Sequence, residues 1–217
     1  MICIIPARGG STRLPEKNIK SLFGTPVINH VIRICIESGI FDDVIVSTDS
    51  DSIAVHCDTD VYRDADVYFR PLELCGDVSE SDVILEFMER YGESSICRVY
   101  PFAALLDSDR LRKGFETFLF NGGTVMERTP YRHPIFRAIK ENGDYYDYES
   151  VMERTQDLPV FYHDAATFMF TTIDEIKKPL YNRSIKWLNV SGLDCQDVDD
   201  ADDWEMLKLK FMRLGYK

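Results

Sequence analysis

At 217 residues, with 45% hydrophobic and 12% aromatic content, the chain can bury one substantial core and is neither disordered nor fibrous in composition. Its formal net charge of -12 excludes a nonspecific binder of nucleic acid polymers, whose affinity comes from neutralising phosphates with many lysines and arginines. The start MICIIPARGG carries no basic leader segment, and no run approaches the roughly 20 apolar residues of a membrane span, so a cytoplasmic protein without a membrane partner is expected.

A short apolar run, Ile2 to Ile5, predicts a buried strand. It breaks at Pro6 into a loop holding Arg8, Gly9, Gly10, Ser11, Arg13, Lys17, Asn18 and Lys20, with Glu16 as its single acid. Adjacent glycines let backbone amides turn toward an anion while the cations supply charge, and phosphate is the anion expected. In open α/β sheets ligands bind beyond the carboxyl ends of the strands, where this loop falls if its strand is central. The pattern is neither GxxxxGK[ST] nor GxGxxG, so the commonest nucleotide loops are excluded.

Pro26 to Gly39 predicts an amphipathic helix with start and stop signals. A strand over Val44 to Ser47 follows, and Thr48-Asp49-Ser50-Asp51 caps a short helix running to about His56. A short strand is expected near Asp60 to Arg63, then a loop with Arg70-Pro71, a helix Asp82 to Tyr91 and a strand Ile96 to Tyr100. Helix Asp107 to Leu119 and strand Gly123 to Glu127 extend the alternation, which is that of βα units and a parallel sheet.

From Thr129 to Asp164 the chain turns aromatic, charged and proline-punctuated, with Asn142-Gly143 as a hairpin turn. The expectation is one domain, 1–217, with 129–164 as a protruding arm whose Tyr145, Tyr146, Tyr148 and Phe161 need a surface to cover, such as a second subunit. Strands are expected over Ala166 to Phe170, Ser184 to Val190 and Gln196 to Val198. A last helix, Asp200 to Leu214, would bury Trp204, Leu207, Phe211 and Leu214. The six cysteines, Cys3, Cys35, Cys57, Cys75, Cys97 and Cys195, show no CxxC spacing and are expected as reduced thiols, most of them in the core.

Asp197 and Asp199, two apart in an apparent strand, would present both carboxylates on one face. Such a pair suits Mg²⁺, which is held by one or two carboxylates plus substrate phosphates; equally, acids just before a helix favour its amino end, so Asp199, Asp200, Asp202 and Asp203 also read as caps.

Ala7 to Asn18, ARGGSTRLPEKN, resembles the amino-terminal signature of the CMP-nonulosonic acid synthetases, cytidylyltransferases whose loop reads approximately ARGGSKRIPxKN. DVD at Asp197 to Asp199 stands where that family carries a metal-binding acidic pair. Arg70, Pro71, Glu73, Leu74 and Asp77 match a segment that contacts the nucleotide, with Ser81 beside it. Pro134 to Ala138 and the run RTQDLPVFYHDA, Arg154 to Ala165, are similar to the pseudaminic acid branch.

The resemblance implies a Rossmann-like, GT-A-like α/β nucleotidyltransferase with a mostly parallel sheet flanked by helices and a β-hairpin dimerisation arm. It implies CMP transfer from CTP to a nonulosonic acid with Mg²⁺ as cofactor, in a homodimer. Arg8, Lys17 and Asp197 would be catalytic. Arg8, Gly9, Gly10, Ser11, Arg13, Lys17, Asn18, Arg70, Asp77 and Ser81 would bind nucleotide, Asp197 and Asp199 the metal, and Arg137, Gln156, Tyr162 and His163 the sugar. Another sugar acid, sialic, legionaminic or KDO, is the alternative acceptor, and a non-catalytic homologue the alternative class. Thr12 stands where the family has lysine, and Tyr100-Pro101-Phe102 where it commonly has Gln-Pro-Thr, which bear on charge and base recognition.

Overall fold

The computed structural model describes residues 1–57, 65–76 and 78–215. In chain order it holds β1 (Ile2–Ala7), β2 (Ser21–Leu22), β3 (Thr25–Pro26), α1 (Val27–Ser38), β4 (Asp43–Thr48), α2 (Asp51–Cys57), β5 (Ala65–Phe69), α3 (Glu80–Tyr91) and β6 (Ser95–Val99). There follow α4 (Ser108–Asn121), β7 (Thr124–Pro130), β8 (Tyr162–Thr172), α5 (Ile173–Ile176), β9 (Ile185–Asn189) and α6 (Ala201–Met212). Seven strands form a sheet in the order β5-β4-β1-β6-β8-β7-β9, while β2 and β3 pair separately. All neighbours in the large sheet run parallel except β8, which is antiparallel to both β6 and β7.

Strand periodicity sorts the core onto two faces. Cys3, Ile5 and Ala7 of β1 join α1 and α4 through Ile28, Ile32, Leu111 and Phe118. Their neighbours Ile2 and Ile4 join Ile84, Phe87 and Met88 of α3. A third cluster lies off the sheet: Leu14 and Leu22 from the amino-terminal segment pack with Phe102, Leu105, Val198 and, from α6, Trp204, Leu207 and Phe211. That cluster fastens the last helix to the basic loop.

The chain runs from β1 outward to β4 and β5, then back to β6 on the other side of β1. The carboxyl ends of β1 and β6 therefore flank a switch point, where parallel α/β sheets leave a crevice.

Most expected elements are present with boundaries shifted by a few residues. The strand expected near Asp60 to Arg63 lies outside the described residues, and β5 follows it at Ala65–Phe69. Gln196 to Val198 is not a strand; the segment has no ladder partner and is held by side chains described below. The β2–β3 pair, turned by Phe23 and Gly24, is too short to leave a periodic signal. α6 ends at Met212, so Leu214 falls past the helix and is exposed, while Trp204, Leu207 and Phe211 are buried. β8 starts inside the expected arm, at Tyr162. Within residues 131–161, Ile139 bridges Tyr145 across the Asn142-Gly143 turn, and Tyr145, Tyr146, Tyr148 and Phe161 are exposed.

All six cysteines are free, five of them buried and Cys75 half-buried. Cys3 Sγ lies 3.7 Å from Cys35 Sγ, and burial pushes both thiols up; that of Cys57 reaches about 12.

Gly114 is where α4 meets the sheet most closely. A Cβ there would stand 2.7 Å from the Phe168 ring and 2.8 Å from that of Phe170, both fully buried. Overpacking such a site costs about 1–3 kcal/mol, against roughly 1 kcal/mol that alanine gains over glycine in a helix. Gly114→Ala should therefore lower the midpoint of urea unfolding; an unchanged or raised midpoint would show that the two rings yield.

Candidate active site

A cleft of about 310 Å³ opens at the switch point. Its walls are Pro6 and Arg8 at the end of β1, Ser11, Thr12, Arg13, Lys17 and Asn18 from the basic loop, Tyr100, Pro101 and Phe102 beyond β6, Arg70, Gly76, Val78, Glu80 and Val83, and Asp199. The structure thus brings Arg8, Ser11, Arg13, Lys17, Asn18, Arg70 and Asp199 to one place.

The loop is built by close approach rather than by unusual dihedrals. Neither Gly9 nor Gly10 takes a left-handed φ; a Cβ on Gly9 would instead meet Ser50 Cβ at 2.8 Å. Asp49 Oδ1 accepts from the Gly9 amide at 2.7 Å and its Oδ2 from the Gly76 amide at 3.3 Å, while Arg8 Nη1 donates to Gly76 O at 3.4 Å. Sequence reasoning gave Asp49 to a helix cap. Its carboxylate ties the end of β4 to both loops that border the cleft, and Ser50 Oγ takes the capping role by accepting from Ile53 N. Asn18 Nδ2 donates to Arg8 O at 3.0 Å. Its Oδ1 is buried and has no hydrogen-bond partner among the described residues.

The acidic run near the carboxyl end divides its labour. Asp200 caps α6, accepting from the amides of Asp202 and Asp203, and Asp203 answers by accepting from those of Asp199 and Asp200. Asp199 is left facing the loop cations: Arg13 Nη2 is 2.9 Å and Lys17 Nζ 3.6 Å from its Oδ1. Lys17 Nζ also donates to Val198 O at 2.5 Å and lies 4.5 Å from the centroid of the Phe102 ring. Burial pulls the Lys17 ammonium below its ordinary pKa against the charges of Asp199 and Asp197. Asp197 moves the opposite way: the protein around its carboxyl raises its pKa, the charge of Asp199 adds to the rise, and Lys17 opposes it.

Side chains fix the segment that carries these aspartates. Arg110 donates from Nη1 to Leu105 O at 3.0 Å and Asp194 O at 2.8 Å, and from Nε and Nη2 to the buried Glu127 carboxylate. Thr167 Oγ1 donates to Glu127 as well. Lys210 Nζ donates to Cys195 O and Gln196 Oε1, and Arg213 to Leu193 O and the Asp194 carboxylate.

The inner wall holds groups that sequence reasoning did not select. The guanidinium of Arg98, 2% exposed, stacks 3.7 Å from the centroid of the Tyr100 ring, which stacks in turn on Phe102. Arg98 Nε is 3.4 Å from Glu80 Oε1, and the Tyr100 hydroxyl donates to Glu80 Oε2 at 3.4 Å. The charge of Arg98 pulls the Tyr100 hydroxyl down, but burial and the carboxylates of Glu80, Asp164 and Asp197 outweigh it and leave the group at about 12. Tyr100 is therefore a neutral donor at physiological pH.

The remaining expected residues lie elsewhere. Asp77 is outside the described residues. Ser81 Oγ accepts from Arg183 Nη2 at 2.9 Å and does not line the cleft. Arg137, whose Nη2 donates to Glu153 O, borders a second hollow with Arg132, His133, Pro134, Ile135, Ala138 and Thr155. Gln156 is exposed on a short turn, Tyr162 lies under the Arg128 guanidinium, and the His163 ring packs at 4.7 Å from that of Tyr131.

Cleft, cationic loop and acidic run together suit a nucleoside triphosphate. The family described as cytidylyltransferase matches residues 2–186. The chain belongs to the cytidylyltransferase family. It is 33% identical to the pseudaminic acid cytidylyltransferase of Campylobacter jejuni serotype O:2, over 97% of this chain and 95% of that one. It is 30% identical to the N-acylneuraminate cytidylyltransferase of Streptococcus agalactiae serotype III, over 94% of this chain and 51% of that one. In fold it is similar to a CMP:2-keto-3-deoxy-manno-octonic acid synthetase solved with CTP, with a TM-score of 0.74, 14% identity and 98% of each chain covered. Like its relatives in this family, the chain is a nucleotidyltransferase of α/β fold with a mostly parallel sheet.

Two carboxylates with hard oxygens fit a divalent cation that completes its shell with phosphate and water. Among the described residues no group of three or more His, Cys, Asp or Glu side chains could hold a metal alone, so such an ion would need the nucleotide as co-ligand.

The Arg110–Glu127 pair gives a test of how the acidic segment is held. Removing one partner of a buried ion pair costs about 3–5 kcal/mol, so Arg110→Met should destabilise the protein by that order in urea unfolding. The double variant Arg110→Met/Glu127→Met should regain most of the stability but not the activity, because the Asp194 carbonyl stays unheld. Full activity in the double variant would show that Arg110 supports the fold alone.

Proposed function

We propose that the protein transfers CMP from CTP to the anomeric hydroxyl of pseudaminic acid and releases pyrophosphate. The observation that carries this reading is the meeting of Lys17 and Asp199, from opposite ends of a chain of the cytidylyltransferase family, in one cleft. The acceptor is chosen from the relative that matches over nearly the full length of both chains, whose name gives pseudaminic acid.

In the proposed complex the triphosphate takes Arg13 and Lys17 from Asp199 and gains Arg8 and the Ser11 hydroxyl. Asn18, which lines the cleft, is assigned to the ribose. The sugar hydroxyl attacks the α-phosphorus in line: an O–P bond forms, the hydroxyl gives up its proton to water, the bond to the bridging oxygen breaks, and the electron pair leaves with pyrophosphate. Catalysis rests on positioning and on charge held where it develops. Asp197 and Asp199 would hold Mg²⁺, whose chemistry there is to neutralise charge on the leaving group and to acidify the attacking hydroxyl. Arg137, Gln156, Tyr162 and His163 are assigned to the sugar acid, reaching the cleft of a second subunit through residues 129–164. Nucleic acid has no place in the reaction, and six free thiols fit the reducing cytoplasm.

A pyrophosphate-release assay with CTP, magnesium and a panel of pseudaminic, legionaminic, sialic and KDO acids should give turnover with pseudaminic acid, and at least about a hundredfold less with Asp199→Ala at unchanged unfolding midpoint. Equal turnover by the variant would refute the metal assignment, and preference for another acid would refute the acceptor. The native chain should sediment as a dimer and the Tyr146→Ser/Tyr148→Ser variant as a monomer. A variant that remains dimeric would remove the arm from the interface.

A further inference from the structure

The cleft is lined by a donor, Arg70, and an acceptor, Glu80. Arg70 is anchored by Nε to Ser47 Oγ at 3.0 Å and by Nη2 to Ser47 O at 2.9 Å. Among the described residues its Nη1 makes no hydrogen bond, and the side chain lines the cleft. Glu80 lines the same cleft, and its charge acts on Arg70. Val78, Val83, Pro6 and Pro101 supply apolar surface around them.

Glu80 stands in the first turn of α3, where an acid is favoured for the helix alone, and beside a buried arginine that needs a counter-charge. Neither role accounts for its geometry. A carboxylate serving only to neutralise Arg98 would close on the guanidinium with two short bonds. Here a single Nε to Oε1 approach of 3.4 Å is made, and Arg98 Nη1, fully buried, has no hydrogen-bond partner among the described residues. The other neighbour, the Tyr100 hydroxyl, is also 3.4 Å away. A carboxylate offers about four lone-pair sites, so Glu80, which lines the cleft with its side chain 35% exposed, keeps spare acceptor capacity.

We infer that Glu80 is the residue that selects cytosine over uracil, accepting from the exocyclic 4-amino group while Arg70 Nη1 donates to the acceptors on the same edge of the base. The inference rests on CTP as the nucleotide. Cytosine presents an amino donor followed by two acceptors. Uracil presents a carbonyl and then an N–H, so its carbonyl meets the Glu80 carboxylate and its N–H meets the Arg70 guanidinium. Both contacts are then mismatched, and a site built to bond a donor discriminates against a ligand that lacks it.

The test is the ratio of kcat/KM for CTP to kcat/KM for UTP, measured for the native enzyme and for Glu80→Gln, whose amide can donate to the uracil carbonyl. The native enzyme should prefer CTP, and the ratio should fall at least about tenfold in Glu80→Gln. Both values come from one preparation, so loss of folded protein cancels. If turnover by the variant is too slow, the ratio of the CTP and UTP dissociation constants by calorimetry reads the same quantity. An unchanged ratio overturns the inference, as does an unchanged ratio with a raised KM for the sugar acid, which would move Glu80 to the acceptor. A native enzyme that turns over neither nucleotide would end the proposed function itself, whereas CTP turnover with an insensitive ratio ends only the role of Glu80.

Discussion

A single ammonium group joins the two ends of this chain. Lys17 Nζ reaches across 181 positions of sequence to the Val198 carbonyl and stands near the Asp199 carboxylate. The approach is possible because apolar side chains around it have already docked: Leu14 on one side of the loop, Val198 and the Trp204 face of α6 on the other, with Phe102 between. Burial of these residues is nondirectional and supplies the holding force, while the lysine sets the register. Taking the small third cluster apart would leave a cationic loop and an acidic run with no common cleft.

The electrostatics of the cleft follow from that enclosure. Burial pulls Lys17 down, while Asp197 is pushed up by the protein packed around it and by the charge of Asp199. Opposite charges are drawn close but not into a closed, saturated pair: Arg13 and Lys17 both attend Asp199, and Asp197 keeps its own carboxylate exposed to solvent. An arrangement of this kind favours a ligand that brings both anionic oxygens for the loop and a cation for the aspartates. Behind it, Arg98, Tyr100, Phe102 and Lys17 form a ladder of cation and ring contacts, from the buried sheet to the basic loop.

The ladder explains a departure that the sequence could only flag. Tyr100-Pro101-Phe102 reads as loss of a polar stretch; in three dimensions the two rings are supports for the cations on either side. The βα alternation was legible because strands and helices of a parallel sheet carry strong periodic signals, and ARGGSTRLPEKN was legible because its order and spacing are specific. Asp49 and Glu80 were hidden for a shared reason: an acid at a helix start looks like a cap whatever its side chain touches, and both sit at such starts. Of the twin aspartates Asp199 lines the cleft, and the strand expected to carry the pair is not one. Their segment is irregular, and Arg110, Lys210 and Arg213 do for it what a ladder of backbone bonds would have done, from distances of sequence that no periodicity records.

In the proposed complex nucleotide and metal occupy this cleft as one unit, with the loop on one side and Asp197 and Asp199 on the other. Coupled ligands must each strengthen the other's binding by the same factor. Calorimetric titration of CTP with and without magnesium measures that factor directly. The expected result is CTP binding at least about tenfold tighter with the metal present, and loss of that gain in Asp197→Asn/Asp199→Asn. Equal CTP affinity with and without magnesium in the native protein, or a gain that survives removal of both carboxylates, would contradict it.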